Sequence, residues 1–114
     1  MPRFLFIANF SAPAAKAILA TGGSARRLAI EQLLADVGGT VESFDFAFGS
    51  DDAYVIADLP DAATAAAVTL SISGSGTAEV RTIVLVTPEE MDAAAQVRPD
   101  YRSKAGCAPP VEPQ

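Results

Sequence analysis

Three short runs, FLFI at residues 4–7, YVIA at residues 54–57 and IVLV at residues 83–86, carry apolar side chains at every position and not only at alternate ones. Successive residues of a strand point to opposite faces, so a strand with one face in water alternates apolar with polar. Runs without that alternation require cover on both faces. Whatever this chain folds into must place these strands in the middle of something, and that requirement constrains the rest.

The segments between them read as helices. Ser11 is placed to cap an Ala-rich helix over Pro13 to Ala20, with Gly22 past its end. Ser24 is placed to cap a second helix, in which Ile30, Leu33, Leu34 and Val37 recur at i, i+3, i+4 and i+7 and form one apolar stripe. Gly38-Gly39 ends it. Val41 to Phe48 alternates, with Phe44, Phe46 and Phe48 on one side and Ser43, Asp45 and Ala47 on the other, as a half-buried strand does. Gly49 to Asp52 then turns the chain into a strand at Ala53 to Leu59, a hairpin turn in which Gly49 is expected at positive φ. Pro60-Asp61 opens an Ala-rich helix through about Ile72, capped by Asp61 and ended at Gly74 and Gly76. Val80 to Val86 is the fourth strand. In Thr87-Pro88-Glu89-Glu90 the threonine hydroxyl and the Glu90 carboxylate can each accept the other residue's amide hydrogen, a capping box that starts a short last helix.

The order is β-α-β-β-α-β with a terminal helix. Right-handed crossovers put both connecting helices on one face of a four-stranded antiparallel sheet, an α+β split βαβ arrangement with the first and third strands central. Residues 1–98 form that domain, and 99–114, with Pro99, Pro109, Pro110 and Pro113, form a mobile tail. The helices cover only one sheet face. Because large exposed apolar patches are rare on isolated chains, the other face calls for a homo-oligomer, at least a dimer.

Composition narrows the chemistry. A net charge of -6 with no histidine argues against nucleic acid and against an anionic membrane surface as partners. The N-terminal apolar run is too short for a signal sequence, and the chain reads as soluble and cytoplasmic. Without histidine there is no imidazole ligand for haem, no Ser-His or Cys-His dyad, and no His-based zinc site. The one cysteine, Cys107, lies in the tail, so no disulfide framework is expected, and neither a metal nor a cofactor is called for.

Several matching segments together resemble the GYD-domain family of small bacterial and archaeal proteins: GGSARR at Gly22 to Arg27, LLADVGGTVESFDFAFG at Leu33 to Gly49, DDAYVIADLPD at Asp51 to Asp61, and TIVLVTPEEMDAAA at Thr82 to Ala95. The resemblance spans roughly residues 1–102, reaching Asp100-Tyr101-Arg102. It implies a ferredoxin-like domain of the dimeric α/β barrel type and no settled activity. Gly49 matches the glycine and Asp52 the aspartate of the family signature, whereas Asp51 stands at the tyrosine position and Tyr54 follows two residues past Asp52.

Two groups of residues are candidates for a site. Ser24, Arg26 and Arg27, after a double glycine at a helix start, suit a small anion through free amides and guanidiniums. Asn9, the only asparagine, and Tyr54 sit on apolar strands where an amide and a phenol can orient a carbonyl or an aromatic ligand between two sheets. The leading reading is a non-catalytic oligomeric module that binds a small ligand or a protein partner at or near the sheet interface. One alternative is a cofactor-independent oxygenase or isomerase acting on an aromatic substrate, with Asp52 as base and Asn9 or Tyr54 as the polarising donor in the same void. Another is a ring- or filament-forming assembly protein.

Overall fold

The computed structural model describes residues 1–101. The elements run β1 (Arg3–Phe10), α1 (Ala12–Thr21), α2 (Gly23–Ala35), β2 (Thr40–Phe46), β3 (Ala53–Asp58), α3 (Ala62–Ser75), β4 (Ala78–Leu85) and α4 (Pro88–Gln96). The strands form one four-stranded sheet in the order β2-β3-β1-β4, antiparallel throughout, so β1 and β3 are central as expected for the ferredoxin-like arrangement. The expected tail at 99–114 lies, from residue 102 onward, outside the described residues.

Alternation along the central strands sorts their side chains into two faces. Phe4, Phe6, Val55 and Ala57 point to one side, where they form the core with Leu34 of α2, Ala65 and Val68 of α3, and Leu59. The stripe packs as its spacing implies, with Leu34 of α2 buried and Ile30, Leu33 and, just past the helix, Val37 packed around the core. α1 lies against α2, and α4 buries no residue. On the opposite face Leu5 sits between Ile56 and Ile83, and Ile7 between Tyr54 and Arg81. No helix layer covers that side: Ile83 is 43% exposed and Tyr54 37%.

The caps show where local chemistry decides. Asp61 accepts the Thr64 amide hydrogen at 2.8 Å, and Thr87 and Glu90 make the reciprocal pair of the capping box at 3.0 and 2.9 Å. Ser24, in contrast, caps nothing. α2 begins at Gly23, and its N-cap is Gly22 at φ 85°, which also ends α1 by donating its amide hydrogen to the Ile18 carbonyl. A single residue serves both helices, and only glycine adopts that left-handed φ without strain.

Other features also differ from the sequence reading. α3 continues through Gly74 to Ser75 and ends at Gly76, φ 77°. An exposed glycine in a helix costs only about 1 kcal/mol relative to alanine, too little to stop a helix held by packing elsewhere. β2 ends at Phe46, and Phe48 stands free in solvent. Gly49 is not at positive φ; among the described residues the glycines at positive φ are Gly22, Gly38 and Gly76. The Ala47 amide donates to the Asp52 carbonyl at 2.9 Å, which closes a loop longer than the two-residue turns that need positive φ.

Candidate functional site

Asp51 ends this loop beside β1 and is only 8% exposed, the one buried charged side chain among the described residues. A carboxylate is stable there only with partners, because desolvation penalises its charge. Three strands supply them. Asn9 of β1 donates from Nδ2 to Oδ1 at 3.0 Å, Tyr54 of β3 donates from its hydroxyl to Oδ2 at 3.3 Å, and Arg81 of β4 donates from Nη2 to both oxygens at 3.0 Å. Tyr54 and Arg81 are the cross-strand neighbours of Ile7 on either side of β1. Their polar ends meet at Asp51, so the network is a clasp over the central strand, and Ile7 is only 7% exposed.

The Asn9 hydrogen bond, followed by the hydrogen bond and charge of Arg81 and then the Tyr54 hydroxyl, holds the Asp51 carboxyl below the usual carboxylate range against the opposing pull of desolvation. Such a carboxylate is a poor proton acceptor: both oxygens are occupied and its charged form is already favoured. Its role is to tie three strands. Arg81 is 64% exposed at its side chain and uses one of its nitrogens here, so the remaining guanidinium donors face outward on the uncovered sheet face.

Asp52 goes elsewhere. Its Oδ2 accepts the Phe10 amide hydrogen at 2.8 Å while its own amide donates to the Ala8 carbonyl at 2.9 Å, so it extends the pairing of β1 past the start of β3. Asp52 also lines a groove with Phe10, Ile18 and Phe46, and neither Asn9 nor Tyr54 lines that groove. The structure therefore brings Asn9 and Tyr54 together, on Asp51, and places Asp52 apart from them.

The anion candidates do not converge either. Ser24 is exposed on α2. Arg27 pairs with Glu31 one turn on, at 3.5 Å, and Arg26 turns inward, its guanidinium 5.5 Å from the centroid of the Phe10 ring. The Arg26 Nε is buried without a hydrogen-bond partner, and the aromatic face offsets part of that desolvation. Among the described residues no group of three or more His, Cys, Asp or Glu side chains is placed to hold a metal ion, and no helix is long and apolar enough to cross a membrane.

Sequence reasoning places the hub, Asp51, in the turn from Gly49 to Asp52 and does not single out its cation, Arg81. Arg81 carried one signal, a charged residue in a mainly apolar run, VRTIVLV, where a charge needs a partner.

In comparison with known proteins, a family model described as GYD domain covers residues 4–95. No curated protein and no solved structure matches the chain.

Proposed function

The chain belongs to the GYD-domain family, and we propose that within it this protein is a self-associating binding module whose partner across the open sheet face is a second copy of itself. One observation carries the reading. The row Ile56, Leu5, Ile83 runs across three adjacent strands on the side that no helix covers. An apolar sheet face left in water is unfavourable by roughly 25 cal/mol per Å², and an identical face is the surface most certain to be present with it in solution.

The charges on that face flank the apolar row. Arg3 is paired with Glu42 at 2.8 Å and Arg81 with Asp51 at 3.0 Å, so each cation is neutralised within its own chain. Asp58, Asp45 and Glu79 register on the same face, opposite Arg3, Tyr54 and Asn9, so carboxylates outnumber cations there, and none of them interrupts the apolar row. Docking would bring the outward donors of Arg81, with Asn9 and Tyr54, to the margin of the sheet interface, where a small ligand with acceptor groups fits their chemistry.

The acid-base alternative draws less support. It requires Asp52 to share a void with Asn9 or Tyr54, and their side chains engage different partners on Phe10 and Asp51. Native mass spectrometry of the full chain tests the proposal. A dimer or higher even oligomer is the expected result, and a monomer persisting at high micromolar concentration overturns it.

A further inference from the structure

The groove beside the β2–β3 hairpin differs chemically from the clasp. It encloses about 450 Å³ between the end of α1, the start of α2 and the hairpin, a volume within the range of small-molecule sites. Its walls are Phe10, Ile18, Leu19, Phe46 and Phe48. Leu19 is 87% exposed, Phe46 is 40%, and Phe48 is as exposed as in an extended chain. Large apolar side chains left in water around one hollow form the kind of concave patch that marks ligand contact.

Asp52 is the single ionisable residue lining the groove. Its Oδ2 is occupied by the Phe10 amide, and its Oδ1 has no hydrogen-bond partner among the described residues. The nearby cation, Arg26, is drawn to the Phe10 ring and lines a small interior hole, not the groove. The space also depends on a missing side chain. A Cβ on Gly23 would lie 2.7 Å from the Phe46 ring, so glycine lets that ring rest against the first turn of α2.

We propose that this groove binds a small primary amine with an aromatic or bulky apolar body. The ring packs among Phe10, Phe46 and Phe48, and the ammonium donates to the free oxygen of Asp52. A carboxylate in an apolar wall selects a cation over an anion, and phenylalanine faces add to the same preference. The site depends on α1, α2 and the hairpin, not on the open sheet face, so it stands whether or not two copies associate.

The test is a titration of the isotope-labelled full chain, followed by amide NMR, with phenethylamine, phenethyl alcohol and phenylacetate as probes. Phenethylamine is expected to produce saturable shifts at Gly23, Phe46 and Ala47, and phenylacetate none at the same concentration. Asp52→Asn keeps an oxygen for the Phe10 amide, and it is expected to weaken the amine roughly tenfold or more while leaving the alcohol unchanged. Phe48→Ala, at a position with no packing to lose, is expected to weaken amine and alcohol alike. The proposal is overturned if phenylacetate binds as well as the amine, if D52N leaves the amine's affinity unchanged, if the shifts cluster instead around Asn9 and Tyr54, or if no probe saturates.

Discussion

Replacing Ile83 by alanine separates the open sheet face from everything else in the molecule. Ile83 is 43% exposed in the single chain, so somewhat under half of its side chain remains for a partner to bury. Full burial of an isoleucine is worth about 1.5–3 kcal/mol. The remaining fraction comes to roughly 1 kcal/mol per chain, and a twofold interface counts it twice, since each copy presents the same residue. I83A is therefore expected to weaken the dimer by about 1–3 kcal/mol, roughly ten- to a hundredfold in Kd. Sedimentation equilibrium over a dilution series reads that shift directly. The neighbouring residue supplies the control: Val84 is 59% exposed, but it pairs with Phe4 and so points to the helix side of the sheet. Val84→Ala should leave the dissociation constant unchanged. An equal shift for both variants, or none for I83A, refutes the assignment of the interface to this face.

Three other outcomes follow from the geometry. Asp51 has a lowered carboxyl pKa when folded, so its contribution to stability is complete above the unfolded carboxylate range, about pH 4, and is lost as pH falls through the lower folded value; melting curves of Asp51→Asn should accordingly fall less steeply than wild type at the acid end. Gly39→Ala places a Cβ 2.8 Å from the Asp58 carbonyl and against the fully buried Leu59, neither of which can move aside, and a loss of about 1–3 kcal/mol or more is expected in urea denaturation. Thr87→Ala removes half of the capping box, worth about 1 kcal/mol to the helix it starts. Because α4 buries nothing, amide exchange should quicken over residues 88–96 while the melting temperature of the isolated chain holds.

Much of this architecture was legible because its signals are local. Asp61 and Thr87 cap helices within three residues of themselves, and the stripe from Ile30 to Val37 needs only helical periodicity to be recognised. The uncovered face was legible too, since unbroken apolar runs in central strands imply it before any coordinates exist. The clasp was not. Asp51 meets Asn9 across 42 positions and Arg81 across 30, and no spacing rule links residues that only strand register brings together. The same limit explains Ser24 and Arg26. The first loses its capping role to a glycine whose φ is invisible in the sequence, and the second turns to an aromatic ring contributed by a different element.

The clasp also has a consequence for how the sheet assembles. β4 is an edge strand, and the run from Val80 to Val86 is apolar enough to pair with β1 in more than one alignment. Sliding it by a single residue would turn Arg81 toward the helices and strand a desolvated Asp51 with no cation beside it. Only one alignment returns the guanidinium to the carboxylate. The ionic tie thus acts as an indexing pin, rejecting misregistered pairings that the hydrophobic side chains alone would tolerate.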